Sequence, residues 1–97
     1  MKVSIIIPVW NGASVILDCL SAIYANTGEE LLEVICVDNA SRDDSSMLIE
    51  EHYPSRVRLI RQLVNLGFAG GINAGVDASQ GDVFVLLNQD CLIRSGS

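Results

Sequence analysis

The stretch LLEVICVDNASRDD, Leu31 to Asp44, joins an apolar run directly to a polar turn and a helix-start signal. Its apolar residues hardly alternate with polar ones, which is typical of a strand that is buried on both faces. Asp38 and Asn39 end the run, and Ser41-Arg-Asp-Asp44 has the spacing of a capping box, with Asp in the place usually held by Glu or Gln. The stretch therefore predicts a buried β-strand followed at once by an α-helix.

The same alternation of strand and helix recurs along the 97-residue chain. Ile16, Cys19, Leu20 and Ile23 lie at i, i+3, i+4 and i+7, the spacing of the buried face of a helix. Pro8 is expected to close the first strand, because proline cannot donate a hydrogen bond to a neighbouring strand. The predicted strands are Lys2 to Ile7, Leu31 to Val37, Val57 to Leu63 and Asp82 to Leu87; the predicted helices end at Thr27-Gly28, at Tyr53 before Pro54 and, for the glycine-rich one that starts at Phe68, at Ala78.

The element order, βαβαβαβ with short links, favours one architecture. Strands that are apolar on both faces and alternate with helices imply a parallel sheet covered on both sides. Because crossover connections are right-handed, few arrangements remain, and a Rossmann-like, doubly wound α/β sheet is the favoured one. In the strand order 3-2-1-4, the fourth strand lies at an open edge and can pair with a second copy of the chain. A homo-oligomer is therefore one expectation.

Composition and charge exclude several classes of protein. A hydrophobic fraction of 49% is enough for one domain with a modest core. The formal net charge of −6 and the lack of a basic run argue against nucleic acid as a partner. The three cysteines form no zinc motif and indicate reduced thiols, two of them packed. Neither a signal peptide nor a membrane span is recognisable, so the expected location is cytoplasmic, or peripheral at the inner face of the membrane.

Polar side chains follow three of the four predicted strands. In a doubly wound sheet, ligands bind at the carboxyl ends of the strands, near the point where the strand order reverses. Pro8 to Asn11, Asp38-Asn39 and Asn88 to Asp90 would all lie at that edge. A carboxylate at Asp90 beside an amide suits Mg²⁺ or Mn²⁺, which would offset the charge of a diphosphate. The alternatives are structural: Asp90 in a local turn, and Asp38 as a cap of the second helix.

The glycine-rich segment NLGFAGGINAG, Asn65 to Gly75, matches neither common nucleotide motif. It contains no GxGxxG, and Val76-Asp77 stands where a phosphate-binding P-loop needs Lys and Ser or Thr. Two interpretations stay open. The glycines either let a ligand approach the helix start, or let the helix pack closely on the sheet. Trp10 is equally open, since it could stack on a base or pack against the first helix.

Taken together, four segments resemble the amino-terminal half of the family 2 glycosyltransferases, which have the GT-A fold. They are VSIIIPVWNG (Val3 to Gly12), EVICVDNASRDDS (Glu33 to Ser45), NLGFAGGINAG and GDVFVLLNQD (Gly81 to Asp90), and they span nearly the whole chain. The resemblance implies a truncated GT-A sheet. It also implies transfer of a sugar from a nucleotide-diphospho-sugar donor to a glycan or lipid-linked acceptor, usually with Mg²⁺ or Mn²⁺.

The resemblance implies roles for individual residues. Asp38 would accept a hydrogen bond from the imide N–H of uracil or thymine, which implies a UDP- or dTDP-sugar. Asn88 and Asp90 stand where the family's DxD motif lies; Asn88 would contact the donor and Asp90 would be the metal ligand. The residues that would line the nucleoside pocket are Pro8, Val9 and Asn11, and those that would shape the ribose and diphosphate side are Asn65, Gly67, Gly71 and Asn73.

Two positions depart from the family pattern. Asn88 replaces the first Asp of DxD, which lowers the negative charge of the site and would weaken metal binding or move Asn88 towards the ribose. Ile72 stands where many relatives carry Arg, so one cationic contact to the donor is absent. Within the family, the DNAS, GFAGG and LLNQD segments look most like the rhamnosyltransferase-like branch that builds bacterial cell-surface polysaccharides.

The resemblance further implies that residues 1–97 are the nucleotide-diphospho-sugar-binding half of a GT-A domain. The family's acceptor site and catalytic base lie in its later half, so no residue here is assigned as the base, and the chain alone is expected to be inactive. Two other classes compete. One is a non-enzymatic nucleotide- or cation-binding regulatory module in which Asp38, Asn39 and Asp90 form an acidic pocket. The other is a dinucleotide-dependent oxidoreductase, against which the missing glycine fingerprint counts.

Overall fold

A computed structural model of the chain describes residues 2–90. Within them, the four strands are parallel and lie in the order β3-β2-β1-β4, which confirms the predicted doubly wound sheet. No helix of this part is long and apolar enough to cross a membrane. The elements are β1 (Val3–Val9), α1 (Ile16–Asn26), β2 (Leu31–Asp38), α2 (Ser45–His52), β3 (Val57–Arg61), α3 (Gly67–Ala78) and β4 (Val83–Leu86).

The core lies on both faces of the two central strands, because successive side chains of a strand point to opposite faces. On one face, β1 and β2 pack against α1 and α2; on the other, Ile6, Ile35 and Val37 pack against α3. The predicted stripe of α1 is fully buried on the first face. Its members are Ile16, Cys19, Leu20 and Ile23.

The expectation that Pro8 closes β1 is wrong, because the strand continues to Val9. The Ile6 carbonyl accepts a hydrogen bond from the N–H of Leu87, at 3.1 Å, whereas the Val9 carbonyl accepts one from Asn39, at 2.8 Å. Even-numbered residues of β1 thus direct their main-chain groups towards β4, and the β1–β4 ladder ends at Ile6. The N–H that Pro8 lacks would point beyond that ladder, so β1 continues along β2 without losing a strand hydrogen bond.

The predicted capping box of α2 is also wrong, since the helix begins only at Ser45. The Ser41 hydroxyl accepts a hydrogen bond from the main-chain N–H of Asn11 instead, at 2.9 Å. Asp44, at the N-cap position, makes no side-chain cap hydrogen bond. Asp43 accepts one from the Ser45 N–H, at 3.0 Å. The side chains of Ser41 and Asp43 thus form other hydrogen bonds in place of the predicted capping box.

The outer strands are shorter than predicted. β3 ends at Arg61, opposite Asp38, because its only partner within residues 2–90, β2, ends there. Leu63, which was expected in β3, is 99% exposed. β4 pairs with β1 alone in this part of the chain and forms the predicted open edge. Its apolar side chains are 36% to 47% exposed: Val83, Phe84, Val85 and Leu86.

Two cysteines are packed, as predicted. Cys19 and Cys36 are reduced cysteines with no solvent exposure. Burial, together with the neighbouring Cys19 and Asp38, raises the pKa of the Cys36 thiol far above its usual value, so Cys36 stays protonated. The prediction for Cys91 lies outside the described residues.

Candidate donor-binding cleft

A cleft of about 600 Å³ opens at the carboxyl ends of the strands. The chain runs from β1 outwards to β2 and β3, then returns to place β4 on the other side of β1. The strand order therefore reverses between β1 and β4, where ligands bind in doubly wound sheets. The cleft is lined by Pro8, Val9, Trp10, Asn11, Ser14, Val15, Asn39, Asn65, Gly67, Phe68, Asn88, Gln89 and Asp90.

Seven of the predicted site residues thus share one cleft, and three do not line it. The seven come from the ends of β1 and β4 and from the segment that leads into α3, which the topology brings together. The cleft residues that sequence reasoning left without a role include Ser14, Val15, Phe68 and Gln89. The three predicted site residues outside the lining are Asp38, Gly71 and Asn73.

The loop after β1 is held in an unusual conformation at Asn11, whose φ of 48° lies in the left-handed region. Asn11 bridges to the loop after β2. Its N–H donates to the Ser41 hydroxyl at 2.9 Å, and its side-chain Oδ1 accepts from the Arg42 N–H at 2.8 Å. Trp10, beside it, is 51% exposed, so its ring is not packed into the core. An exposed aromatic ring thus lies at the cleft next to the left-handed residue.

Asp38 and Asn39 occupy different positions although they are adjacent in sequence. Asp38 is 5% exposed, and its Oδ1 accepts a hydrogen bond from the Ser41 N–H at 3.1 Å. Asn39 lines the cleft and is 2% exposed, and its Nδ2 donates to the Gly67 carbonyl at 3.1 Å. Asp38 therefore shapes the loop below the cleft, while Asn39 connects the end of β2 to the start of α3.

The glycines of α3 have two separate roles. A Cβ atom on Gly71 would lie 2.8 Å from Asn39 Nδ2, and one on Gly75 would lie 2.4 Å from Ile6 Cγ2. Both glycines are buried and let α3 pack closely on the sheet, which is one of the two interpretations left open. Gly67 has a φ of 76° and an open neighbourhood at the cleft, next to Asn65. Asn73 is exposed elsewhere on α3.

The segment after β4 brings an amide and a carboxylate to the cleft and contacts the loop after β1. The Gln89 side-chain Oε1 accepts a hydrogen bond from the Trp10 N–H at 2.9 Å, and its Nε2 donates to the Trp10 carbonyl at 3.0 Å. Asn88 and Asp90, on either side, are exposed and line the cleft. The only indication of a role for Gln89 in the sequence was its position between Asn88 and Asp90. That position did not indicate that Gln89 contacts Trp10.

The donor atoms of the cleft suit a divalent cation only in part. Asp90 is the one carboxylate among the lining residues, and residues 2–90 contain no group of three His, Cys, Asp or Glu that could hold a metal ion. Mg²⁺ is commonly bound through one or two carboxylates, waters and the phosphates of a substrate. Asp90 and the Asn88 amide oxygen fit such a shared site. Asp38 does not line the cleft with Asp90, so the acidic pocket of the regulatory alternative is not formed in this part of the chain.

Asp43 fastens the loop after β2 to the loop after β1. Its Oδ2 accepts from the Ala13 N–H at 3.0 Å, and its Oδ1 accepts from the N–H and hydroxyl of Ser45. Desolvation is the largest single influence and acts to raise the pKa of the Asp43 carboxyl. The hydrogen bonds from Ser45 and Ala13 together outweigh it and lower that pKa below its usual value.

Comparison with known proteins places this architecture in a family. The family model described as glycosyl transferase family 2 matches residues 4–96. The poly(ribitol-phosphate) beta-glucosyltransferase of Bacillus spizizenii is 32% identical over 99 residues, which cover 98% of this chain and 16% of that protein. The chain spans less than a third of the length of such relatives.

Solved structures agree with the fold. The crystal structure of residues 1–349 of S. aureus TarS superposes with a TM-score of 0.86 at 23% identity, over 96% of this chain and 28% of that one. TarS 1–349 is also solved in complex with UDP and with UDP-GlcNAc. The mannosyltransferase PcManGT from Pyrobaculum calidifontis, in complex with GDP-Man and Mn²⁺, gives a TM-score of 0.84 at 28% identity, over 94% of this chain and 28% of that one. The chain belongs to glycosyl transferase family 2.

Proposed function

We propose that this chain supplies the donor site of a glycosyltransferase that moves a sugar from a nucleotide-diphospho-sugar to a glycan or lipid-linked acceptor. The observation that carries the proposal is the cleft at the β1–β4 reversal, where Trp10, Asn65 and Asp90 converge. Nucleotide-sugars in the complexes of TarS and PcManGT support this class of ligand. The acceptor site, the catalytic base and a cytoplasmic or membrane-peripheral location stay predictions.

In this proposal, Asp90 would hold Mg²⁺ or Mn²⁺, and the Asn88 amide oxygen would add a neutral ligand. When bound, the cation would neutralise charge on the donor's diphosphate and so stabilise it as a leaving group. The Mn²⁺ in the complex of PcManGT supports the use of a divalent cation. Because the protein has a formal charge of −6, an anionic donor is repelled at long range, and a cation at Asp90 offsets that repulsion locally.

The proposed donor is a UDP- or dTDP-sugar, whose pyrimidine imide would donate to Asp38. A second depression of about 730 Å³ adjoins the cleft and shares Trp10, Asn11 and Asn65 with it. This depression is also lined by Ala40, which lies two residues after Asp38, so the depression is a candidate binding place for the nucleobase of the donor. The nucleotide-sugars bound in the two solved relatives have different nucleobases, uracil in TarS and guanine in PcManGT. The preference of this chain for a nucleobase therefore has to be measured.

Titration calorimetry with UDP, dTDP, GDP and ADP, each with and without Mn²⁺, tests the proposal. We expect UDP and dTDP to bind about tenfold or more tightly than ADP, because adenine has no imide N–H to donate to Asp38 and one hydrogen bond to a charged acceptor is worth about 1.5–3 kcal/mol. Asp38→Asn should reduce this difference in affinity. Asp18→Asn, which changes an exposed acid on α1, is the control and should leave the difference unchanged. Equal affinity for all four nucleotides would exclude base recognition by Asp38. Failure of every nucleotide to bind would reject the donor site itself.

A further inference from the structure

We infer that Gln89 is a positioning residue of the donor site. Its side-chain amide holds the segment that carries Asn88 and Asp90 in place against the main chain of Trp10. We call the two hydrogen bonds between Gln89 and Trp10 the Gln89–Trp10 amide pair. The inference deepens the proposed function and rests on it, since it gives Asp90 its place relative to the rest of the cleft.

The amide pair extends the contact between β1 and β4 beyond its last main-chain rung. The β1–β4 ladder ends where Ile6 lies opposite Leu86, with one further bond from Leu87. Past that point the Gln89 side chain accepts from the Trp10 N–H at 2.9 Å and donates to the Trp10 carbonyl at 3.0 Å. Only a side-chain amide offers a donor and an acceptor side by side in this way. Gln89 therefore acts as one more peptide group between the two segments.

The loop after β1, which Gln89 contacts, is itself fixed by hydrogen bonds. The Gly12 N–H donates to the buried Ser45 hydroxyl at 2.8 Å, and the Gly12 carbonyl accepts from Val15 and Ile16 at 3.0 and 2.8 Å. The loop after β1 is thus anchored to the starts of α1 and α2. Gly12 also leaves the space that Gln89 occupies, because a Cβ atom there would lie 2.3 Å from Gln89 Oε1.

The segment after β4 depends on this contact for its position. Leu87, at the start of this segment, donates its N–H to the Ile6 carbonyl at 3.1 Å. Beyond Leu87, the contact from Cys19 Sγ to the Asn88 carbonyl is long, at 3.9 Å, and a thiol is a weak donor. Asp90 lies one residue beyond Gln89 and is exposed. The two short hydrogen bonds of Gln89 therefore fix where the Asp90 carboxylate meets a ligand in the cleft.

Two variants remove the amide pair from opposite sides. Gln89→Met keeps the length of the side chain but has neither donor nor acceptor, and Gly12→Ala pushes the amide away from Trp10 while the main chain stays in an allowed conformation. We expect each to weaken Mn²⁺-dependent UDP binding about tenfold, the scale of one or two neutral hydrogen bonds. UDP binding without Mn²⁺ should hardly change. The double variant should lose no more than either single one, because both act on the same contact.

Matched controls separate this effect from general damage. Gln80→Met changes an exposed glutamine at the opposite end of the sheet, and Gly28→Ala fills a site with no atom within 4 Å. Both should bind UDP and Mn²⁺ like the wild type. If Gln89→Met also binds like the wild type, or loses as much affinity without Mn²⁺ as with it, Gln89 does not position Asp90 and the inference is wrong.

A measurement without nucleotide keeps the inference separate from the proposed function. In ¹⁵N NMR of the free chain, Gln89→Met should speed hydrogen exchange of the Trp10 amide about tenfold and increase the backbone mobility of Asp90. If these changes occur but the wild type binds no nucleotide, the amide pair stands and the proposed function fails. If the Trp10 amide and Asp90 are unaffected by Gln89→Met, the positioning role is rejected whether or not UDP binds.

Discussion

Asp90 contributes the one carboxylate among the residues that line the cleft, so the effect of its charge can be isolated. We expect Asp90→Asn to weaken Mn²⁺-supported UDP binding by about 1.5–3 kcal/mol, the value of a charge-assisted contact. The melting temperature should change little, since Asp90 is an exposed edge residue. Calorimetric titration and thermal denaturation measure the two effects, with Asp77→Asn on the exposed side of α3 as the control. Unfolding of Asp90→Asn would show a structural role instead.

Asp43 makes stability depend on pH. The folded-state pKa of its carboxyl is lowered from 3.8, so the ionised form stabilises the fold at pH values above 3.8, and this contribution is lost as pH falls through the folded-state pKa. Asp43→Ala should therefore cost about 1 kcal/mol at neutral pH, the net value of one or two hydrogen bonds. At a pH below the folded-state pKa, where Asp43 is protonated in the wild type, the loss of stability caused by Asp43→Ala should be smaller.

Urea denaturation of Asp43→Ala at several pH values between neutral and strongly acid checks this expectation. Asp44→Ala is the matched control, because Asp44 is the neighbouring exposed acid and makes no side-chain cap hydrogen bond at the start of α2. A cost that stayed constant with pH would mean that the carboxylate of Asp43 does not act through its ionised form.

At the scale of the element, α3 approaches the sheet through glycine. Gly75 faces Ile6, where an added Cβ atom would come within 2.4 Å of the Ile6 Cγ2 atom, a fully buried group. We expect Gly75→Ala to destabilise the fold by about 1–3 kcal/mol, the usual cost of overpacking a core. Denaturant unfolding measures this cost.

The same substitution at Gly28 tests whether the effect comes from packing. Gly28 has no atom within 4 Å of an added Cβ, so Gly28→Ala should be close to neutral. Ile6→Ala should partly relieve the clash, which would make the double variant Ile6→Ala/Gly75→Ala less unstable than the sum of the two single changes. Strict additivity would show that the two residues do not compete for the same space.

At the scale of the whole molecule, β4 is an edge strand with apolar side chains on both of its faces. Phe84 and Leu86 are 45% and 47% exposed, and one side of the β4 main chain has no strand partner within residues 2–90. Such an edge can pair with another copy. We therefore expect the 97-residue chain to self-associate, with a weight-average mass that rises with concentration in size-exclusion chromatography with light scattering.

A lysine on the edge tests this expectation, because a charge there opposes strand pairing. Phe84→Lys should shift the chain towards the monomer. Leu63→Lys removes an even more exposed apolar side chain, but outside β4, and should leave association unchanged. A wild-type chain that stays monomeric at all concentrations would overturn the expectation.

The sequence by itself determined the order of the elements and the class of the sheet. Uninterrupted apolar runs that alternate with helices are typical of strands covered on both faces, and the spacing of Ile16, Cys19, Leu20 and Ile23 is typical of a helix with one buried face. Short links and right-handed crossovers then left few arrangements, among them the strand order 3-2-1-4 that the structure has. The polar residues at the strand ends followed from this order, which is why most of the predicted site residues meet in one cleft.

Only the tertiary structure decided what individual polar residues contact. The sequence left open whether the glycines of α3 face a ligand or the sheet. A Cβ atom on Gly75 would lie 2.4 Å from Ile6 Cγ2, so Gly75 faces the sheet, whereas Gly67 is open at the cleft. The role of Gln89 was not predictable, because its partner Trp10 lies 79 residues away in sequence. Periodicity reports which face of an element is buried, whereas a hydrogen bond depends on distances of a few tenths of an ångström between segments that meet only after the sheet has formed.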